Sequence, residues 1–197
     1  MIELYDLPAS GNCYRVRLML ALAGVPCRRV ILEHGGIAHN EQVGRLNRLR
    51  EVPVLCDGPV VLRDSQAMLV YIAARYAPDW LPAAPADLAG IQQWLSFSAN
   101  EIQNGPRYAR AITLGLVPGD RQHYLNATLR VLSYLEAHLQ GRRWLHADQP
   151  TIADVACHPY LCNVEQAGID MAAYPNIAAW LAALAAMPGY LAFTANP

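Results

Sequence analysis

Val52-Pro53-Val54-Leu55-Cys56-Asp57-Gly58-Pro59-Val60-Val61-Leu62-Arg63-Asp64-Ser65 is the stretch whose reading decides the fold. Two short apolar runs, 54–56 and 60–62, flank Asp57-Gly58-Pro59, and turn residues between such runs predict a β-hairpin. The segment 65–76 then reads as a helix, with Met68, Leu69, Ile72 and Ala73 on one face. Asp64-Ser65 stands at the junction. Either side chain can accept an orphan N–H of the first helical turn, which is ordinary N-capping. The same geometry has a second use. Free N–H groups and a hydroxyl at a helix start bind a carboxylate, and a neighbouring carboxylate binds an ammonium. The pair is therefore either a plain cap or a cradle for the α-amino-acid end of a small zwitterion. Pro53 opens a strand, where its missing N–H costs nothing. A trans Val52–Pro53 bond is the base expectation, since cis accounts for about 5% of X–Pro bonds. A cis bond would turn the Val52 main chain outward, open to an extended peptide.

Upstream, Ile2-Glu3-Leu4-Tyr5 reads as a strand and 8–11 as a turn. A helix follows over 13–23, with Val16, Met19, Leu20 and Ala23 at helical spacing, ended by Gly24 and Pro26. A strand spans 29–32; 34–48 has little periodicity and reads as loop with a short helix. The order is β-α-β followed by β-β-α. Downstream, three prolines in 78–85 mark a linker. Beyond it only helices are expected: 87–114 with a kink at Gly105-Pro106, 120–139, 151–168, 177–187 and a last turn at 190–194.

Ser10-Gly11-Asn12-Cys13 lies between the first strand and the first helix, with Asn12 as the expected N-cap. Ser10 has no nearby histidine or acid pair in sequence to make it a nucleophile. It can instead donate a hydrogen bond to an anion such as a thiolate. Lowering a thiol pKa by about two units needs about 3 kcal/mol, within reach of one charge-assisted bond plus a helix end. Cys13, near Arg15 and Arg17, is a second candidate for a reactive sulfur.

The chain has 197 residues, 54% hydrophobic and 16% charged, with net charge −1. Disorder is excluded by that apolar fraction, and nucleic-acid binding by the lack of a basic excess. All 15 basic residues are arginine, so no lysine Schiff base or P-loop lysine exists. Residues 1–78 carry net +2 and 79–197 net −3, a polarity that fits an anion bound by the first part. Five cysteines without CxxC read as buried thiols in a reducing cytoplasm. No signal peptide, no apolar run of about 18 residues and no metal-ligand spacing is expected, His123, His138, His146 and His158 included. Trp94 and Trp180 read as core residues, and His158 as packed rather than catalytic.

Three segments together resemble a cytosolic glutathione transferase of the bacterial, serine type, similar to the theta, phi and nu classes. They are Ser10-Gly11-Asn12-Cys13-Tyr14-Arg15-Val16-Arg17, Leu46-Asn47-Arg48-Leu49-Arg50-Glu51-Val52-Pro53-Val54-Leu55 and Leu62-Arg63-Asp64-Ser65-Gln66-Ala67-Met68-Leu69-Val70-Tyr71-Ile72. Thr151-Ile152-Ala153-Asp154, a capping-box sequence, and Pro175-Asn176-Ile177-Ala178-Ala179-Trp180 extend the resemblance over the whole chain. It implies an α/β plus all-α fold: a thioredoxin-like, glutathione-binding domain over 1–77, a linker over 78–86 and an all-helical domain over 87–197. It further implies a cis Val52–Pro53 bond. Val52 would pair with the cysteinyl backbone of glutathione, and Asp64 with Ser65 would hold its γ-glutamyl end. Ser10 would stabilise the thiolate, with Asn12 as the second candidate. The family's usual Asn-Pro-x-Gly is here Asn47-Arg48-Leu49-Arg50, and a lysine often used for the glycine carboxylate is Glu51. That carboxylate must turn to His39, Arg50 or main chain. Asn104, Arg107, Tyr108 and Ala111, with Arg110, are the implied electrophile pocket. Arg107 and Arg110, three apart, are expected on one helix face. The implied activity is glutathione conjugation of a small electrophile, or peroxide or disulfide reduction, by a homodimer with neither metal, nucleic acid nor membrane as partner. Two alternatives are a non-catalytic binding or regulatory protein of the same fold and a Cys13-based thiol transferase or dehalogenase.

Overall fold

The computed structural model describes residues 1–193, with the side chains of all but His34 and Ala38. They form two compact units, Met1–Pro78 together with the segment from Pro188 onward, and Asp79–Met187.

The first unit is built on a four-stranded sheet in the order β2-β1-β3-β4. Strand β1 is Ile2–Asp6, β2 Cys27–Ile31, β3 Val54–Asp57 and β4 Val60–Leu62. β1 runs parallel to β2 and antiparallel to β3, and β3 and β4 form the expected hairpin. Helix α1 spans Gly11–Leu22, α2 Glu41–Leu46 and α3 Ser65–Tyr76. This is the thioredoxin-like βαβ-ββα layout that the sequence implies. Successive side chains of a strand face opposite sides, so β1 serves two cores. Tyr5 and Val54 pack with Val43 of α2 in one cluster. Neighbouring Leu4 and Leu55 are fully buried, as are Val16, Met19 and Leu20 of α1 and Met68, Leu69 and Ile72 of α3. α1 and α3 pack on one another.

The second unit is all helical among its described residues: α4 Pro85–Phe97, α5 Tyr108–Thr113, α6 Arg121–His138, α7 Ile152–Leu161 and α8 Pro175–Ala185. α4 and α5 are joined without a break by a π-helical segment, Ser98–Arg107. Pro106 lies within it; a proline offers no N–H and its ring clashes with the carbonyl four residues back. A wider i→i+5 turn accommodates that clash, which is why the expected kink at Gly105-Pro106 takes this form. Gly105 also lets α6 close in, because a Cβ there would stand 3.2 Å from the Thr128 nitrogen. α7 is buried along its whole length. The Thr151/Asp154 capping box opens it, and the Asp154 carboxylate also accepts from Leu145 N–H and Trp180 Nε1, each at 2.9 Å.

Several sequence expectations are corrected. The N-cap of α1 is Ser10, and Asn12 lies inside the helix, because the helix starts two residues earlier than the apolar spacing indicated. The 78–86 linker holds a 3-10 turn, Pro78–Trp80, and α4 starts at Pro85, a residue suited to a first helical position. The 151–168 helix stops at Leu161 and resumes as a 3-10 turn, Val164–Ala167, closed by Gly168 in the left-handed region. α8 begins at Pro175 and ends at Ala185. Residues 190–193 are not helical, and Thr194 lies outside the described residues. Their segment packs with the first unit: the Tyr14 hydroxyl donates to Leu191 O at 2.7 Å, and Phe193 stacks on the Tyr14 ring.

Candidate active site

Strand register brings the predicted residues of the first unit to one end of the sheet. Asp6, the last residue of β1, pairs with Ile31, the last of β2, and Tyr5 pairs with Val54, the first of β3. Leu55 pairs with Leu62, the last of β4. The Ser10 loop, the 32–50 connection with His39 and Arg50, the Val52-Pro53 step and the Asp64-Ser65 junction all leave the sheet there.

Ser10 caps α1. Its Oγ accepts from Cys13 N–H at 3.3 Å, while its carbonyl takes the first intrahelical bond, from Tyr14 N–H at 2.8 Å. Since one lone pair of the hydroxyl is used, its proton is available for an anion in front of the helix. The loop carrying Ser10 is held from below by Arg17. This buried side chain ion-pairs with the fully buried Asp6 and donates to Pro8 O at 3.0 Å. Arg29 reaches the second Asp6 oxygen at 2.6 Å. Nothing in the sequence pattern singled out Asp6 or Arg17 as a loop clamp.

Cys13 is fully buried, and burial pushes its thiol up to about 12, partly offset by the Leu7 N–H at 3.4 Å. Desolvation outweighs the Leu7 and Ser10 hydrogen bonds and the charge of Arg17, so the candidate reactive sulfur is a buried, protonated thiol. Arg15 and Arg17 are themselves turned into the protein, 2% and 8% exposed.

Val52–Pro53 is cis. Val52 lies two residues before the first paired residue of β3, Val54, and packs half-buried against the Tyr5 cluster. Ahead of it, buried Asn47 organises the turn: Nδ2 donates to Glu51 O and Oδ1 accepts from Leu49 N–H, each at 3.0 Å. Arg50 takes the left-handed conformation, φ 52°, which glycine adopts more readily than any other residue. The Arg50 guanidinium lies over Gly44, where a Cβ would be 2.8 Å from its central carbon. His39 is exposed at the end of a 3-10 turn, His34–His39, and Glu51 is exposed.

Asp64 is the N-cap of α3, its Oδ1 accepting from Ala67 N–H at 2.9 Å, so the capping reading holds. Ser65, the first helical residue, is 6% exposed, and its Oγ accepts from Arg15 Nη1 at 3.0 Å. Arg15 is the residue that sequence reasoning missed, because its partner is fifty positions away.

In the second unit, exposed Asn104 donates to Asn100 at 3.1 Å and lines a cleft of about 340 Å³ with Phe97, His123 and Tyr134. Arg107 lies over the Tyr108 ring, 4.5 Å from its centroid, and Tyr108 stacks on Tyr124. Ala111 is half-buried. Arg107 and Arg110 do not share an environment. Arg110 is buried and donates to Gln166 at 2.6 Å. Trp94 and Trp180 are buried as expected, and burial pushes buried His158 down to about 4.

A thioredoxin-like sheet carrying a cis X–Pro step, a serine-capped α1 and an Asp-Ser start to α3, followed by an all-helical unit, defines the architecture of a glutathione-handling protein. The chain belongs to the glutathione S-transferase family: its N-terminal domain model matches residues 4–80 and its C-terminal domain model residues 120–188. Glutathione S-transferase 3 of Zea mays is 30% identical over 96% of this chain and 91% of that protein. Glutathione S-transferase GstB of Escherichia coli is 27% identical over 95% of each. A crystal structure of a glutathione S-transferase from Pseudomonas fluorescens superposes with a TM-score of 0.90 at 28% identity, covering 98% of this chain and 99% of that one. No helix among the described residues is long and apolar enough to cross a membrane.

Proposed function

We propose that the chain binds glutathione at the sheet end of its first unit and activates the thiol for attack on a small electrophile. The observation that carries this reading is the Ser10 hydroxyl. It caps α1 by accepting from Cys13 N–H, which leaves its own proton directed at an anion beside the positive helix end. In the proposed cycle Val52 pairs with the cysteinyl main chain of glutathione. Ser65 and the α3 N–H groups hold the γ-glutamyl carboxylate, and Asp64 takes the ammonium. Arg50, His39 or main chain takes the glycine carboxylate that Glu51 cannot. The thiol proton leaves to solvent, and the thiolate is stabilised by Ser10, with Asn12, two residues further on, as the second candidate. The sulfur then forms a bond to the electrophilic carbon as the leaving group departs with its electron pair. Preorganised donors at the sulfur supply most of the catalysis.

Asn104, Arg107, Tyr108 and Ala111 contribute to electrophile binding in this reading; a guanidinium stacked on a tyrosine favours aromatic or anionic acceptors. The same thiolate can reduce a peroxide or disulfide. The active form is a cytoplasmic homodimer, a location in keeping with five cysteines that form no disulfide.

The test pairs calorimetry with kinetics on a generic aryl halide. Wild type binds glutathione and conjugates it. Ser10→Ala keeps the affinity but raises the pKa in the kcat/KM profile by about two units. An unchanged profile in Ser10→Ala refutes the role of Ser10. Binding without turnover in wild type assigns the chain to the non-catalytic alternative.

A further inference from the structure

Two serines face the proposed glutathione site, and each accepts a hydrogen bond from behind. For Ser10 the donor is a main-chain N–H, as in any helix cap. For Ser65 the donor is a charged side chain, the Arg15 guanidinium at 3.0 Å. Arg15 lies in the second turn of α1, and both partners are over nine-tenths buried, at 2% and 6% exposure. A guanidinium withdrawn from water is costly unless it gains compensating interactions, and it stays charged at any working pH. A solvent-facing lysine or arginine could bind a carboxylate directly; this one, 2% exposed, donates to a hydroxyl at the binding surface.

Hydroxyl chemistry makes that arrangement directional. Oγ has one donor and two acceptor positions. Once a cation donates into one lone pair, the Ser65 proton points away from the guanidinium, toward an acceptor on the outer side. The fixed positive charge behind it adds to the partial positive charge at the start of α3. Both act through protein rather than bulk water, where charge–charge interactions are stronger. The rim of the same junction carries Asp64, exposed and of opposite sign. Carboxylate inside and ammonium outside is the charge order of an α-amino acid.

We infer that Arg15 is a positioning residue for recognition of the γ-glutamyl α-carboxylate. It orients the Ser65 hydroxyl as a donor and supplies the countercharge behind it, without acting on the thiol. The inference rests on the glutathione reading above and deepens it: selectivity for an α-carboxylate at this end of the peptide is set by a buried residue of α1. The competing description is a purely structural tie between α1 and α3.

Calorimetry and steady-state kinetics on the full chain separate the two. The probes are glutathione and the analogue whose glutamyl α-carboxylate is an amide; the variants are Arg15→Met, which keeps length without charge, and Arg15→Lys. Wild type is expected to prefer glutathione over the amide by about tenfold or more, the scale of a charge-assisted hydrogen bond. Arg15→Met loses that preference and raises KM for glutathione, while kcat at saturation and the pKa in its pH profile stay in place. Arg15→Lys restores part of the preference, since it returns the charge without the planar fork. Arg15→Met that melts lower but keeps the tenfold preference overturns the inference and leaves the structural tie. A displaced pH profile in Arg15→Met also overturns it, by assigning Arg15 to the thiol. If Arg15→Met does not fold, a double-mutant cycle of Arg15→Lys with Ser65→Ala decides. Coupled effects on glutathione affinity support the inference, and additive effects overturn it. Wild type that binds neither peptide fails before any Arg15 variant is compared, and that result removes the glutathione reading and the inference together.

Discussion

Arg50 tests two ideas at one position. Its φ of 52° puts an L-residue in the left-handed region, where the family usually has glycine. The turn is fixed there from both sides: Arg50 N–H donates to Asn47 O at 2.9 Å, and the Asn47 side chain brackets Leu49 and Glu51. An L-residue in that conformation costs roughly 1–2 kcal/mol, whereas glycine adopts it freely. Arg50→Ala keeps the strain and removes the guanidinium, while Arg50→Gly removes both. The step from alanine to glycine therefore isolates the backbone contribution. From it must be subtracted about 0.4–1 kcal/mol for the greater freedom of a glycine in the unfolded chain. A net gain of about 0.5–1 kcal/mol remains, which raises the melting temperature of Arg50→Gly by roughly 1–4 °C over Arg50→Ala for a chain of this size. Glutathione affinity follows the side chain instead. On the proposed reading both variants lose the same exposed ion pair to the glycine carboxylate, about 0.5–1 kcal/mol or two- to fivefold at low salt. Thermal melts followed by circular dichroism and titration calorimetry read the two effects. Arg50→Gly melting no higher than Arg50→Ala refutes the strain argument. Wild-type affinity in both variants refutes the binding role.

The same backbone logic applies to Ala147, φ 61°, where no functional side chain intervenes. Ala147→Gly is expected to raise the melting temperature, and Ala137→Gly, exposed within α6, to lower it by about 1 kcal/mol of stability; equal signs would refute the φ argument. Burial pushes the Asp154 carboxyl up to about 6 from 3.8. Between those values the folded chain holds a proton that the unfolded chain has released, so this group's contribution to stability falls as pH rises and is flat above the window. Urea midpoints at pH 5 and pH 7 should show this loss, about 1 kcal/mol, in wild type and not in Asp154→Asn; parallel pH dependence in both sinks it. Cys13, with its thiol pushed up to about 12, resists iodoacetamide at pH 7.5 in the native protein and reacts after unfolding. Peptide mapping that finds native Cys13 labelled as fast as the unfolded residue counters the burial argument and reopens a Cys13-based reaction.

Signals carried by neighbours in sequence were legible. The 65–76 helix has the ends the sequence predicts, and the Asp57-Gly58-Pro59 hairpin differs by one residue, Asp57 joining the first strand, because turn chemistry, capping and periodicity act over a few residues. Helix ends that depend on tertiary support were not. Gly11 and Asn12 carry no apolar spacing, so the sequence pattern starts α1 at Cys13 with Asn12 as its cap, whereas the folded helix is capped by Ser10. The π segment is set by Pro106 inside a helix that α6 and α7 pack against, and nothing local announces ten residues of wider turn.

The sequence by itself determined the order of elements, the family and the residues that meet at the open end of the sheet. Those follow from hydrophobic spacing, turn residues and three short motifs, all local. Tertiary structure alone decided what the charged and sulfur-bearing residues near them do. In sequence, Arg15 and Arg17 are charges close to Cys13, a candidate reactive sulfur. Folding buries all three, ties Arg15 to Ser65 and Arg17 to Asp6, and leaves Cys13 a protonated core thiol. Burial and long-range pairing set those states, and both are properties of packing that no window of sequence contains.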